Sequence, residues 1–202
     1  MTIARLAFGC LAICSVEAAP TVAQSNVDER LLIGVYQTES VTFARTMRWA
    51  DRSAVPGFAA GPVGLAVGVV RGDRGFSSLY RFAVAEAAAG VLAFGFKSVV
   101  RRPRPYVTFS DVRARGRVAR WDPFAFPSAH AAMAFALATS ATFSHPRMLT
   151  ASFGYAWAAG VAASRVWLGV HYPSDVLVGA LLGVAVAFAV HALAPQGNTP
   201  PR

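Results

Sequence analysis

The sequence predicts an all-α, multi-pass helical bundle of about five to six helices. Three observations lead there. The 202-residue chain is 55% hydrophobic but only 14% charged, with a mean hydropathy of +0.45, where ordinary soluble chains carry about 25% charged residues. The apolar residues gather into five runs, at 54–70, 82–96, 131–143, 149–163 and 176–194. None of these runs sustains the period-2 alternation of a half-buried strand.

Residues 1–23 read as a signal peptide or signal anchor. Arg5 precedes the apolar run Leu6–Val16, small residues follow, and Thr21-Val22-Ala23 is a candidate cleavage site. Both cysteines, Cys10 and Cys14, fall in this leader, so a processed chain has no thiol and no disulfide framework. Residues 24–53 place Leu31, Leu32, Val35, Val41 and Phe43 among charges and read as an amphipathic segment on a membrane or protein surface. The five apolar runs fill 54–195, and 196–202 form a tail. Gly and Ala are frequent in the runs, as in closely packed membrane helices. The last run has the roughly 20 residues needed to span a bilayer, whereas the shorter middle runs need their flanks. A soluble all-helical domain is the alternative. Glu86 lies inside an apolar run and is expected to form a helix–helix hydrogen bond in the interior.

The connections bring three polar segments to one face: 97–128, 164–175 and the region before residue 54. Two of the helices are joined by the short Ser144–Arg147 turn on the opposite face.

The net charge of +9 is almost all arginine, with seven arginines between Arg101 and Arg120 and a single lysine, Lys97. Such a cluster suits an anionic partner. No zinc-finger, helix-turn-helix or basic-zipper pattern accompanies it, so nucleic acid is not expected. Between Trp121 and Ala194 the only charged side chains are Asp122, Arg147, Arg165 and Asp175.

On the shared face stand three pieces: Lys97-x6-Arg104-Pro105, Pro127-Ser128-Ala129-His130, and Ser164-Arg165-x5-His171-x3-Asp175. Lys97, Arg104 and Arg165 supply cations for phosphate oxygens, the arginines as planar forks and the lysine as a point charge. Ser128 stands just before a helix, where hydroxyl and N–H groups favour an anion. His130 suits a general acid that protonates a leaving oxygen. His171 suits a nucleophile, since a neutral imidazole attacks near pH 7. Asp175, four residues on, is within reach of the His171 ring N–H and would fix its tautomer. The scattered histidines and carboxylates suggest no metal site, and the surrounding cations disfavour one. No cofactor is expected.

These pieces resemble the type 2 phosphatidic acid phosphatase superfamily, which includes class A acid phosphatases and vanadium haloperoxidases. The first and third pieces match its pattern, and "SRVWLGVHYPSD", residues 164–175, is close to the family's wording. The second departs from Pro-Ser-Gly-His at Ala129, whose methyl group would crowd the phosphate while its N–H is retained. The resemblance covers about residues 80–194. It implies a phosphohistidine on His171, His130 as acid, Asp175 as orienter, and Lys97, Arg104, Ser128, Ala129 and Arg165 around the phosphate. It further implies a membrane lipid phosphate or pyrophosphate as substrate, no metal, and a bacterial inner-membrane location with the site facing the periplasm. The leader agrees with that topology, although the arginine-rich 97–128 loop runs against the positive-inside rule. The alternatives are a soluble periplasmic non-specific acid phosphatase, a vanadate-dependent haloperoxidase, and a non-enzymatic binder of anionic lipid.

Overall fold

The computed structural model describes residues 22–71, 77–116 and 121–193. The expected leader lies outside them except for residues 22 and 23, and the expected tail lies outside them entirely. Seven helices follow one another among the described residues: α1 (Val22–Tyr36), α2 (Val41–Arg71), α3 (Ser77–Val100), the four-residue α4 (Pro105–Thr108), α5 (Ala129–Ser144), α6 (Met148–Trp167) and α7 (Pro173–Leu193). Among these residues there is no strand, only one isolated bridge between Pro103 and Phe124.

Two helices, Leu79–Val100 of α3 and Pro173–Leu193 of α7, are long and apolar enough to cross a membrane, with mean hydropathies of 1.6 and 2.4. Only 33% and 17% of those windows are buried inside the bundle. Val91, Val99, Leu177, Leu181 and Phe188 face outward. A helix that is apolar all round yet mostly outward-facing needs an apolar solvent. The fold is therefore an all-α bundle of the membrane type.

A single 31-residue helix, α2, runs across the composition shift at residues 53 and 54, with Pro56 and Pro62 inside it. The polar first half and the apolar second half are one element. The composition shift there marks a change of surroundings along a continuous helix.

At the centre lies α5, packed against α3, α6 and α7. Small residues make this possible. Ala85, Ala89, Ala93, Ala129, Ala132, Ala136 and Ala187 form one buried cluster with Val186. On α7, a Cβ at Gly183 would stand 2.1 Å from the Ala132 carbonyl oxygen, and one at Gly179 would stand 2.5 Å from that of Ser128. Both contacts are with backbone, so only glycine lets α7 approach α5 this closely. The Gly179 contact falls at the first turn of α5, where the candidate site begins.

Glu86 departs from its expectation. It is buried, but its Oε2 has no hydrogen-bond partner among the described residues. A Cβ at Gly61 of α2 would stand 3.5 Å from that oxygen, so the position of α2 that faces it is a glycine, with no side chain to donate.

Candidate active site

The cavity at the polar end of the bundle has a volume of about 770 Å³ and is lined by Lys97, Arg104, Ala129, His130, Arg165 and His171, with Arg48, Asp51 and Asp122 among the others. The three polar segments expected on one face do meet there. Each motif lies at a helix end. Lys97 stands in the last turn of α3, Arg104 just before α4, His130 in the first turn of α5, and Arg165 in the last turn of α6. Helix ends are where the chain leaves the apolar layer and polar groups become affordable.

His171 lies on the α6–α7 connection and is 2% exposed. Its Nδ1 faces Asp175 Oδ2 at 3.5 Å, a contact not yet closed to a hydrogen bond, so Nδ1 has no partner of that kind. Its Nε2 is 3.3 Å from Arg104 Nη1, which also donates to the Val170 carbonyl at 3.0 Å. A guanidinium only donates, so Nε2 presents its lone pair and Nδ1 carries the proton towards the carboxylate. Burial pushes the imidazole pKa well below its ordinary value, and the charges of Arg104, Lys97 and Arg165 and the neighbouring His130 push the same way. His171 is therefore held neutral, the nucleophilic form.

His130 sits differently. Its ring meets Phe58 edge-on, with centroids 5.7 Å apart. Burial first, then Arg165, Lys97 and Arg104, push its pKa down to about 3. Near neutral pH it is therefore uncharged and not in its acid form. A bound phosphate dianion would cancel the cationic field responsible for part of that shift.

The cations are not free. Lys97 Nζ donates to both oxygens of Asp122 at 2.9 Å and to the Phe124 carbonyl at 2.8 Å. Arg104 Nη2 donates to Asp122 Oδ2 at 2.8 Å. Arg165 pairs with Asp51 of α2 through Nη1, while its Nε is buried without a partner. Asp122 and Asp51 were not singled out from sequence. Asp122 carried one signal, as one of four charged residues in a long apolar stretch. Asp51 carried none, because its partner lies 114 positions away.

Ser128 is placed otherwise than expected. It is fully buried, does not line the cavity, and caps α5, its Oγ accepting the Ala131 N–H at 3.4 Å. Its own N–H donates to the Asp175 carbonyl at 3.0 Å, so it ties the second motif to the third. Ala129 lines the cavity yet is 5% exposed and belongs to the α3–α5–α7 alanine cluster. Among the described residues no three His, Cys, Asp or Glu side chains come together as a metal site.

A family model described as the PAP2 superfamily matches residues 78–198. Over 74 residues the chain is 40% identical to the bacitracin transport permease protein BcrC of Bacillus licheniformis, a match covering 35% of this chain and 34% of that protein. Over 66 residues it is 39% identical to phosphatidylglycerophosphatase B of Escherichia coli, covering 31% and 26%. The matched stretch thus spans about a third or less of these relatives. The fold also resembles the crystal structure of the transmembrane PAP2-type phosphatidylglycerolphosphate phosphatase of Bacillus subtilis, with a TM-score of 0.68 at 21% identity, covering 86% of this chain and 87% of that one.

Proposed function

The chain belongs to the PAP2 superfamily, and from that premise we propose that it is a metal-independent phosphatase acting on a membrane lipid phosphate or pyrophosphate through a phosphohistidine. One observation carries this reading: a buried neutral imidazole, His171, presents Nε2 to a cavity lined by Lys97, Arg104 and Arg165, with a carboxylate behind Nδ1.

Substrate phosphate takes over the contacts that Asp122 and Asp51 now make with the cations. As Arg104 Nη1 turns from Nε2 to a phosphate oxygen, Nε2 attacks phosphorus, the N–P bond forms, and the P–O bond to the leaving alkoxide breaks. Lys97, Arg104 and Arg165 hold the charge spread over the equatorial oxygens, which is where most stabilisation is gained. The Arg165 Nε proton, buried and unpartnered, suits that anion. Asp175 offsets the positive charge that develops on the ring. His130, protonated once the dianion is bound, gives its proton to the alkoxide. It recovers one from the water that then attacks the phosphohistidine, releasing inorganic phosphate.

The outward apolar faces of α3 and α7 favour a lipid over a soluble ester, because a bilayer would deliver the substrate along them. We place the cavity on the periplasmic side of a bacterial inner membrane, which the leader-like residues 1–23 support. The detergent-purified protein should release phosphate from a lipid phosphate in excess EDTA, and His171→Ala should abolish release. Undiminished turnover by His171→Ala would sink the mechanism, and turnover lost in EDTA would sink metal independence.

A further inference from the structure

One guanidinium beside the cavity has no part in that chemistry. Arg102 stands two residues before Arg104 but does not line the cavity. We propose that Arg102, held in turn by Asp28 of α1, is a positioning residue for His171, acting through Asp175. This rests on the phosphohistidine reading above.

The geometry is a closed chain of contacts. Arg102 Nη1 donates to Asp175 Oδ1 at 2.8 Å and to Ser174 Oγ at 2.7 Å. Arg102 Nη2 donates to Asp28 Oδ2 at 2.8 Å. The guanidinium lies 3.8 Å from the centroid of the Tyr172 ring. Asp28 also accepts the Ser174 N–H at 2.9 Å through Oδ1, and the Ser174 hydroxyl donates to its Oδ2. Asp175 Oδ2 accepts the Tyr172 N–H at 2.8 Å and is the oxygen that faces His171 Nδ1.

Two consequences follow. With Oδ1 committed to Arg102 and Oδ2 to Tyr172, the carboxylate of Asp175 cannot rotate, and only Oδ2 is offered to the imidazole. An orienting carboxylate is effective only when its own direction is fixed. Charge is the second consequence. Asp175 is fully buried and Asp28 is 7% exposed. Two such carboxylates near each other repel unless a cation stands between them, and Arg102 bonds to both. The trio carries a net charge of −1, which matches the single positive charge that His171 gains as it takes the phosphoryl group.

Asp28 lies upstream of residues 78–198, the stretch that defines the family. The support of the nucleophile therefore reaches a helix outside the family core, and α1 becomes part of the active site.

The test compares Arg102→Gln, Arg102→Lys and Asp28→Asn in the full chain, using the lipid phosphate that the wild-type protein turns over in EDTA, with His171→Ala alongside. We expect Arg102→Gln to lower kcat about 10–100-fold, as loss of an outer partner does in other sites. Its KM should stay within about threefold, since the substrate contacts are untouched. Arg102→Lys should regain part of the loss, because an ammonium keeps the Asp175 contact. Asp28→Asn should fall in the same direction by less. If kcat in Arg102→Gln and Asp28→Asn stays within about twofold of wild type, or if the loss appears in KM, the positioning role is overturned. So it is if Arg102→Lys is as slow and as heat-labile as Arg102→Gln. A dead His171→Ala beside a normal Arg102→Gln removes this inference alone. An active His171→Ala removes the phosphohistidine reading beneath it.

Discussion

The two histidines of the cavity are held in opposite ways. His171 is enclosed, with Asp175 behind one nitrogen, Arg104 before the other, and Arg102 and Asp28 behind the carboxylate. His130 is half-buried, its ring touching Phe58 rather than a polar partner. The difference matches the tasks proposed for them, His171 as nucleophile and His130 as acid. A nucleophile needs a fixed direction and a fixed tautomer, which hydrogen-bonding partners supply. An acid that must lose and regain a proton is better left without a partner, so that the charge in the cavity sets its protonation.

The sharpest way to break this comparison is to change the leaving group. His130→Ala should slow hydrolysis of an alkyl lipid phosphate by about 10²–10⁴-fold, the usual worth of a placed acid. With p-nitrophenyl phosphate, whose leaving oxygen needs little protonation, the loss should shrink towards the wild-type rate, while His171→Ala stays inactive with both. Equal losses with both substrates would deny His130 its role. The same contrast has a proton signature. Burial and the surrounding cations push the His130 pKa down to about 3, and a bound dianion raises it. Near pH 6 free phosphate is mainly the monoanion and sheds a proton when bound as the dianion, so the wild-type protein, whose His130 takes that proton up, should release fewer protons on binding than His130→Ala does, read by calorimetry in buffers of different ionisation heat.

Asp122 tests the cations that the two histidines share. It holds Lys97, itself 3% exposed, and Arg104. Asp122→Asn should destabilise the ligand-free protein by about 3 kcal/mol, since breaking a buried pair strands its partner. Added phosphate should recover part of that loss by binding the folded state. A melting temperature insensitive to phosphate would count against Asp122 as the counter-ion that substrate displaces.

Gly183 separates spacing from charge. Gly183→Ala drives a methyl group into the Ala132 carbonyl and should cost about 1–3 kcal/mol as an overpacked contact. It forces α7, which carries Asp175, away from α5, which carries His130, so kcat per folded molecule should fall as well, with KM changed little. The smallest effect is expected at Ala129. Its side chain belongs to the alanine cluster as well as the cavity wall, so Ala129→Gly should change kcat/KM by less than about threefold.

The helical fold class, and the motif residues that meet at the cavity, could be read from local sequence. Apolar runs without period-2 alternation leave helices, rather than a closed barrel, to satisfy every backbone group in a bilayer. Lys97, Arg104, His130, Arg165, His171 and Asp175 were legible because each motif is local, set by spacing within a helix end or a single turn. The residues that hold them in place could not be read that way. Asp122, Asp51, Arg102 and Asp28 take their roles from partners 18 to 146 positions away, and spacing along one helix carries no information about which helix will lie beside it. Ser128 shows the same limit in reverse. Its place before a helix was legible, but whether its hydroxyl turned to a ligand or to its own helix depended on the geometry of one turn. The paired carboxylates follow from a rule that operates only after packing: a group taken out of water either finds an opposite charge within a few ångströms or gives up its own, whatever its position in the chain.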